Sequence, residues 1–242
     1  MLLSLGGYVK LYDDELGKKG HVFMVKTVLT DYKQENKTIY HVEAVTPQIS
    51  FGYGLAKRTA DIVVSLLVAV LGILPMLIIA LLIKLDSKGP VIFKQERLGK
   101  DGNPFVMYKF RSMCETAEEN GPQWAERDDD RCTRVGAFLR KTRLDELPQF
   151  WNILRGDMSL VGPRPERPYF YDEFEKYIHG FHNRLAVRPG LTGWAQVRGG
   201  YDLLPEEKIV FDMEYIAAMS VRMDLRCIIR TVRLIFTHEG AR

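Results

Sequence analysis

The most conspicuous pattern along the chain is an almost unbroken run of apolar residues at positions 62–85. The run reads IVVSLLVAVLGILPMLIIALLIKL, and Ser65 and Lys84 are its only polar members. As a straight helix it would extend roughly 36 Å at 1.5 Å per residue, compared with about 30 Å for the hydrocarbon core of a bilayer. The pattern predicts a membrane-associated helix attached to a more polar body.

Pro75, near the middle of this run, makes a straight helix unfavourable. A proline has no N–H, so the carbonyl of Leu71 loses its helical partner and the helix bends. Basic residues mark the cytoplasmic side of a membrane segment. They occur here on both flanks, as Lys57, Arg58, Lys84, Lys88, Lys94 and Arg97. A re-entrant membrane helix kinked at Pro75, which returns to the face where it entered, satisfies both flanks; a kinked span and a buried core helix are the alternatives.

Outside this run, shorter patterns predict an α+β fold that is mostly helical, with a small β element. Residues 21–29 and 39–45 are rich in β-branched and aromatic residues and flank the polar loop 31–37, which predicts an N-terminal β-hairpin. Two further strands are predicted at 91–97 and 105–111, and helices at 133–143, 146–154, 166–181 and 224–236.

The last two of these predicted helices are amphipathic. Aromatic residues share one face of 166–181, and in 224–236 apolar positions lie opposite Arg226, Arg230 and Arg233. A basic amphipathic helix is typical of a protein surface that lies on anionic lipid. An ordinary surface helix packed on the core gives the same pattern, so both interpretations stay open.

Composition narrows the class of protein. The chain has 242 residues, of which 46% are hydrophobic and 27% charged, and this excludes a disordered tail, a fibre and a disulfide-rich miniprotein. The formal charge of +3 is too small to indicate nucleic acid as a partner. Cys114, Cys132 and Cys227 have no metal-ligand spacing, which disfavours a disulfide framework or a structural zinc site and fits a reducing compartment.

The acidic pair Asp145 and Glu146 is the densest candidate for chemistry. Thr142 resembles the start of a capping box, and Pro148 is best tolerated in a first turn, so both carboxylates are expected near a helix N-terminus. The helix dipole there lowers the pKa of a carboxylate and keeps it ionised. An ionised carboxylate can attack phosphorus or bind Mg²⁺. Plain helix capping is the simpler alternative interpretation of the two carboxylates. Arg143 lies just before the pair in the sequence, separated from it by Leu144.

Arginine in the segment GPRP is a second candidate. Pro163 and Pro165 fix the backbone on both sides of Arg164, which predicts a preset, bidentate phosphate ligand. Asp157 is close enough in sequence to join such a site. A rigid turn with an exposed arginine is the alternative.

Two weaker motifs add positively charged side chains and a glycine-containing loop. Lys109 and Arg111 end a predicted strand, and either can reach a phosphate. The segment RPGLTGWAQ, which ends at Gln196, contains glycines that permit a close backbone approach to a ligand. Together these residues indicate a membrane-surface site with a carboxylate pair and several cations, which suits phosphate chemistry on a lipidic substrate.

In this order the motifs closely resemble those of the bacterial sugar transferases, the monotopic polyprenyl-phosphate phosphoglycosyl transferases. The motifs that carry the resemblance are KR before Asp61, the proline-broken apolar run, KQER at 94–97, YKFRSM at 108–113, LDELPQ at 144–149, GDMSLVGPRP at 156–165 and PGLTGWAQ at 189–196. The resemblance covers residues 57 to about 238. Longer members carry four spanning helices and a Rossmann-like domain before the anchor.

The resemblance implies a domain division. Residues 1–54 are interpreted as a β-rich appendage, a remnant of a regulatory part. Residues 55–242 form the membrane-anchored catalytic domain, with the re-entrant helix at about 61–85. The implied location is the bacterial inner (cytoplasmic) membrane with this domain facing the cytoplasm.

The resemblance also implies the reaction. A sugar-1-phosphate moves from a UDP-sugar, of the glucose or galactose type, to undecaprenyl phosphate and UMP is released, in the first membrane step of exopolysaccharide or surface glycan synthesis. Asp145 attacks the sugar-bearing phosphate and forms a covalent aspartyl-phosphosugar, while Glu146, with Asp145, binds Mg²⁺. Phosphate and substrate contacts are expected from Lys109, Arg111, Arg143, Asp157, Pro163, Arg164, Pro165 and Gln196. Membrane lipid is an expected partner, nucleic acid is not, and a homo-oligomer is left open. The alternative from another class is a catalytically inactive membrane scaffold that binds nucleotide-sugars in the same pathway.

Overall fold

The computed structural model of the chain describes residues 4–5, 8–9, 32–34, 37–117, 119, 121, 129–199 and 203–237. Its helices are α1 (Phe51–Leu71), α2 (Ile73–Asp86), α3 (Arg134–Thr142), α4 (Gln149–Arg155), α5 (Pro168–Glu175), α6 (Trp194–Arg198), α7 (Pro205–Ala217) and α8 (Val221–Thr237). Its strands are β1 (Ser4–Leu5), β2 (Tyr8–Val9), β3 (Tyr32–Gln34), β4 (Lys37–His41), β5 (Ile92–Leu98), β6 (Pro104–Phe110), β7 (Ser159–Val161), β8 (Ile178–His179) and β9 (Gly190–Thr192). Short 3₁₀ turns lie at Lys100–Gly102, Leu144–Glu146 and Phe181–Ala186. The predicted α+β class, mostly helical with small sheets, is confirmed.

Helices α1 and α2 form a bent apolar pair. The axes of the two helices differ by 62° at the break after Leu71. Pro75 lies in the first turn of α2, where its missing N–H is tolerated, and the bend falls at Gly72, just before that turn. No single helix among the described residues is long and apolar enough to cross a membrane, whereas this bent pair is, by length and composition. The predicted domain boundary at residue 54 falls inside α1.

The first turns of α1 attach this pair to the rest of the protein. The buried Asp61 carboxylate accepts hydrogen bonds from Ser159 Oγ at 3.0 Å and from Leu160 N–H at 2.8 Å. Lys57 Nζ donates to the carbonyl of Val161 at 2.9 Å and pairs with Asp224 at the same distance. The polar residues near the start of α1 therefore hold strand β7 and helix α8.

Strands β5 and β6 form the predicted antiparallel pair, with a register from Ile92 opposite Phe110 to Leu98 opposite Pro104. The connecting 3₁₀ turn contains Asp101 at φ 58°, a left-handed conformation that Asp tolerates better than most residues. This pairing carries Lys109 to the end of β6.

Asn152 joins α4 to β6. Its fully buried amide accepts a hydrogen bond from Tyr108 N–H at 3.1 Å and donates one to the carbonyl of Val106 at 2.7 Å. It also donates to Asp157 Oδ2 at 3.2 Å. On the free edge of β6, the Asn152 side chain thus forms the backbone hydrogen bonds that a neighbouring strand would otherwise form.

We expect Asn152→Ala to lower the free energy of unfolding by about 2–3 kcal/mol. Tyr108 N–H and the carbonyl of Val106 would lose their partner in a buried position. Chemical denaturation in detergent micelles measures the change, with the exposed Arg155→Ala on the same helix as the control, which should cost under about 1 kcal/mol because surface ion pairs contribute little. Equal costs for the two variants would contradict this role of Asn152.

Strands β7 and β9 pair in parallel beside the main hydrophobic core, with Ser159 opposite Gly190 and Val161 opposite Thr192. The backbone segments around β7 and β9 approach each other so closely that two positions require glycine. A Cβ on Gly190 would lie 2.1 Å from Gly162 N, and a Cβ on Gly162 would lie 2.4 Å from the carbonyl oxygen of Arg188. The main core is built from α5, α7, α8 and the segments beside them, including Tyr171, Phe181, Trp194, Ile209, Met213 and Tyr215.

The predicted N-terminal β-hairpin is not confirmed. Its first strand, 21–29, lies outside the described residues, and Tyr32–Gln34, which was assigned to the loop, forms β3 antiparallel to β4. Strand β4 also pairs in parallel with β8, with Tyr40 opposite Ile178 and His41 opposite His179. Residues of the predicted appendage are therefore hydrogen-bonded to the main body.

The prediction of one helix over 166–181 is wrong. Helix α5 ends at Glu175, and Gly180 adopts φ 94°, a left-handed conformation that glycine permits and a helix does not. The Glu175 carboxylate accepts the N–H groups of Gly180 at 2.6 Å and of His182 at 3.1 Å, which stabilises this chain reversal. The other amphipathic helix is present as α8, and its apolar Leu225 and Ile229 are exposed.

Candidate active site

A cleft of about 570 Å³ brings most of the candidate residues together. Its lining includes Lys109, Arg111, Arg143, Asp145, Glu146, Arg164 and Gln196. These residues come from β6, from the turn before α4, from the loop after β7 and from α6. Folding thus joins four motifs that are far apart in the sequence.

The acidic pair lies in a 3₁₀ turn and not at the start of a helix. Arg143, which follows α3, has φ 58° and ψ 16°, and this left-handed residue redirects the chain so that Leu144–Glu146 turns into the cleft. A non-glycine residue in this conformation costs of order 1–3 kcal/mol, and such strain is common at functional sites. Helix α4 begins only at Gln149, and the Thr142 hydroxyl donates to the carbonyl of Phe138 at 2.8 Å, so the predicted capping box is absent.

Glu146 is a buried carboxylate held by two cations. Its Oε1 lies 2.6 Å from Arg164 Nη2 and 3.7 Å from Lys109 Nζ. Burial alone would raise the pKa of Glu146, but the positive charges of Arg164 and Lys109 outweigh burial and lower it to about 2. Glu146 is therefore ionised at neutral pH and also fixes the position of Arg164.

Asp145 has the opposite electrostatic character, and the predicted lowering of its pKa by a helix dipole is wrong. Burial raises the pKa of Asp145 to about 6; Lys109 opposes this shift, and the negative charge of Glu146 adds to it. The carboxylate is still ionised near pH 7.5, but it is poorly solvated. A desolvated carboxylate beside several cations is suited to nucleophilic attack on an anionic phosphate centre.

Arg164 reaches the cleft from a loop whose backbone carbonyls are held by two other arginines. Arg184 Nη2 donates to the carbonyl of Arg164, and Arg97 Nη1 donates to the carbonyl of Pro165, each at 2.9 Å. Sequence reasoning noted Arg97 as a flanking charge and as part of the KQER motif, without a role at the site, and it did not single out Arg184. Contacts between residues so far apart have no signal in local spacing.

The remaining candidates are less directly placed for substrate. Arg111 lines the cleft, but its guanidinium donates to the carbonyls of Lys88 and, at 2.8 Å, of Ser87, so it also caps the end of α2. Gln196 lines the cleft and donates to the carbonyl of Leu191 at 3.3 Å. Asp157 contacts Asn152 and Arg155 and is not among the residues that line the cleft.

The carboxylate pair could hold Mg²⁺ only together with ligands that a substrate supplies. Within the part of the chain that the structure describes, no group of three or more His, Cys, Asp and Glu side chains is arranged to hold a metal ion. Mg²⁺, however, is commonly bound by one or two carboxylates together with substrate phosphates and water. Asp145 and Glu146 both line the cleft and supply that number of carboxylates, so the site suits Mg²⁺ that arrives with a phosphate ligand.

Known proteins resemble this chain over most of its length. A UDP-N-acetylgalactosamine-undecaprenyl-phosphate N-acetylgalactosaminephosphotransferase of Aeromonas hydrophila is 47% identical over 193 residues, which are 78% of this chain and 46% of that protein. A UDP-glucose:undecaprenyl-phosphate glucose-1-phosphate transferase of Escherichia coli (strain K12) is 46% identical over 193 residues, 77% of this chain and 41% of that protein. The galactosyl transferase CpsE of Streptococcus agalactiae is 38% identical over 207 residues, 79% of this chain and 44% of that protein.

This chain spans less than half the length of these three relatives. The family model of the bacterial sugar transferases matches residues 52–238, a range that contains the residues lining the cleft. The resemblance in the motifs is thereby confirmed. The chain belongs to the bacterial sugar transferase family.

Proposed function

We propose that the protein transfers a sugar-1-phosphate from a UDP-sugar to undecaprenyl phosphate and releases UMP. The observation that carries this proposal is the ionisable pair Asp145 and Glu146 inside a cleft lined by Lys109, Arg143 and Arg164. The names of the Aeromonas hydrophila and Escherichia coli relatives each give a UDP-sugar, undecaprenyl phosphate and the transfer of a sugar phosphate. The names of the three relatives give different sugars, N-acetylgalactosamine, glucose and galactose, and we propose a UDP-sugar of the glucose or galactose type as the donor.

In the proposed reaction the Asp145 carboxylate oxygen attacks the phosphorus that carries the sugar. The bond between this phosphorus and the bridging oxygen breaks, UMP leaves with that oxygen, and an aspartyl-phosphosugar remains. A phosphate oxygen of undecaprenyl phosphate then attacks the same phosphorus and releases the Asp145 carboxylate. The product is undecaprenyl diphosphate sugar, and no oxidant or reductant is needed.

The neighbouring residues position and neutralise the phosphates. Arg164 and Lys109 lie beside Glu146 and can bind the non-bridging oxygens, whose negative charge would otherwise repel Asp145. Glu146 and Asp145 would hold Mg²⁺, which supplies additional charge neutralisation on the diphosphate. Arg143 adds a third positive charge at the turn that carries the pair.

We further propose that α1 and α2 form a re-entrant membrane hairpin at the cytoplasmic face of the inner membrane. The bent pair exposes a continuous set of large apolar side chains, including Leu66, Val70, Leu74, Leu77, Leu81 and Leu85. Such a surface is favourable in lipid and unfavourable in water. The exposed apolar residues of α8 beside its arginines suit the membrane interface in the same way.

Cysteine labelling tests this topology. With the native cysteines replaced by serine, single cysteines at Ser50 and Lys88, both exposed at the two ends of the pair, should react with an impermeant reagent from the cytoplasmic side only. Labelling of the two positions from opposite sides would establish a span and reject the hairpin. A label confined to the cytoplasmic side at both ends supports it.

UMP release from a panel of UDP-sugars tests the activity. With Mg²⁺ and undecaprenyl phosphate, we expect one or a few UDP-hexoses to give UMP together with a lipid-linked sugar. Tight UDP-sugar binding without turnover for the whole panel would favour the alternative, a catalytically inactive membrane scaffold. The panel also identifies the sugar.

We expect the first half-reaction to slow as the pH falls through about 6. The pKa of Asp145, raised by burial to about 6, separates an ionised nucleophile above this pH from a protonated and inactive acid below it. A single-turnover measurement of UMP release without the lipid acceptor isolates this step, because the acceptor phosphate titrates in the same range. Asp172→Asn, at an exposed position, should keep the same pH profile. A rate that is constant from pH 8 to pH 5 would contradict the assignment.

A further inference from the structure

We infer that Arg97 and Arg184 are positioning residues that hold the Arg164 loop over Glu146. This inference rests on the proposed function, because Arg164 is the residue through which both would act. Neither arginine has to contact the substrate for this role. Each donates to a backbone carbonyl of the loop, Arg184 to that of Arg164 and Arg97 to that of Pro165.

The loop needs such donors because its own backbone has few N–H groups that could form hydrogen bonds. Pro163 and Pro165 have no N–H, so this stretch cannot form a regular strand ladder with a neighbour. Up to Pro163 the backbone is tied to β9 and its flanks, where Gly162 N–H donates to Thr192 at 2.8 Å and Pro163 accepts from Gly190 N–H at 2.9 Å. The next two carbonyls, on which the direction of the Arg164 side chain depends, are bound by Arg184 and Arg97.

The two arginines are themselves held firmly. Arg184 is completely buried and pairs with the buried Asp212 at 2.6 Å. Arg97 pairs with Glu166 at 3.2 Å, and Glu166 also binds Lys208 at 3.3 Å. A guanidinium fixed by a second group loses little additional side-chain entropy when it binds a carbonyl, so both are suited to hold a backbone in one place.

The geometry therefore forms a chain of contacts from the body of the protein to the carboxylate pair. Arg184 and Arg97 bind the two successive carbonyls of Arg164 and Pro165, and Arg164 Nη2 binds Glu146 Oε1 at 2.6 Å. A shift of about 1 Å in a positioned group can cost a hundredfold in rate. A role in fold stability alone would also explain these ion pairs, and a double-mutant cycle separates the two roles.

The cycle combines Arg97→Lys with Arg164→Ala and measures the affinity for UDP by calorimetry in detergent, alongside kcat and KM for the UDP-sugar. In Arg97, Nη1 donates both to the carbonyl of Pro165 and to Glu166 Oε2, while Nη2 donates to Gln95 Oε1. Lysine keeps the charge but loses this planar two-nitrogen geometry. Because Arg97 acts through Arg164, Arg97→Lys should weaken UDP binding about tenfold in the wild-type background and less than about twofold when Arg164 is already alanine. Arg155→Lys, at an exposed position that is not among the residues lining the cleft, is the matched control and should change neither value.

Equal losses in both backgrounds would overturn the inference, because they would mean that Arg97 acts without Arg164. If Arg97→Lys does not fold, Arg97→Gln, which retains a donor for Pro165, takes its place in the same cycle. Arg184→Lys repeats the test for the contact with the carbonyl of Arg164. A wild-type protein that neither binds UDP nor releases UMP would instead reject the proposed function, so the two failures are distinguishable.

Discussion

Asp145→Asn should reduce UMP release by at least about a thousandfold and should abolish the covalent sugar-phosphate adduct. Asparagine occupies the same volume in the cleft, but its amide oxygen carries no negative charge and is a very weak nucleophile toward phosphorus. The loss of a group that forms the intermediate has effects of this size or larger in other enzymes that use covalent catalysis. Incubation with a UDP-sugar labelled on the sugar, followed by denaturation and mass spectrometry, measures the adduct directly.

The same substitution should make the protein more stable at neutral pH. Because burial raises the pKa of Asp145 to about 6, the folded state favours the protonated acid, and its stabilising effect is present below the ordinary pKa of 3.8 and lost as the pH rises through about 6. At pH 7.5 the wild-type protein keeps an ionised, desolvated carboxylate that asparagine does not have. Thermal unfolding in detergent should give a higher midpoint for Asp145→Asn at pH 7.5, and the difference should shrink toward pH 4.

The exposed Asp172→Asn serves as the control for both measurements and should alter neither the rate nor the midpoint. Full turnover in Asp145→Asn would reject the covalent mechanism. If turnover is lost while the adduct still forms at another residue, Asp145 is not the nucleophile. A lower midpoint at pH 7.5 would mean that the carboxylate stabilises the fold, contrary to its burial.

The sequence was most informative where structure depends on local patterns. The apolar run, the proline in it and the basic flanks predicted a bent helix, and α1 and α2 meet at 62° at Gly72, three residues before Pro75. The strands predicted at 91–97 and 105–111 match β5 and β6 within one residue at each end. These features depend on the period of apolar side chains and on the chemistry of proline, which can be read from neighbouring positions.

The same reasoning failed where the backbone departs from local preference. Arg143 adopts a left-handed conformation that an arginine rarely takes, and this moved the acidic pair from a helix start to a 3₁₀ turn. At Gly180 the aromatic period continues although the helix does not, because a chain reversal brings Phe181 back against Phe174 at 5.1 Å between ring centroids. In neither place does the spacing of residue types along the sequence reveal the backbone conformation.

The candidate site was recognisable by residue type, but its electrostatics were not. The pattern indicated carboxylates and arginines for phosphate, and the cleft brings most of them together. The pKa shifts of Asp145 and Glu146 are opposite because burial prevails at Asp145, whereas the positive charges of Arg164 and Lys109 outweigh burial at Glu146. The support from Arg97 depends on a contact with Pro165, 68 residues further along the chain.

Arg164→Ala should impair both stability and activity. The Arg164–Glu146 pair is largely buried, and removal of one partner of such a pair costs about 3–5 kcal/mol because the other charge stays behind without compensation. Lys109 Nζ, at 3.7 Å from Glu146, replaces only part of the lost interaction, so we expect a value near the lower end, about 3 kcal/mol. In the proposed reaction the substrate phosphate also loses the Arg164 guanidinium as a ligand, so UMP release should fall about a hundredfold or more.

A double variant separates the two consequences of losing Arg164. Arg164→Met with Glu146→Gln removes both charges and keeps the volume, so the unfolding free energy should recover most of the loss, since an apolar or neutral replacement of a buried ion pair is often nearly neutral. Activity should stay low, because neither phosphate contact nor the ionised Glu146 is restored. Denaturation and UMP release are measured on the same preparations. If the double variant is active, the ion pair is only a structural support. If Arg164→Ala is fully stable, Glu146 does not depend on Arg164 for its charge.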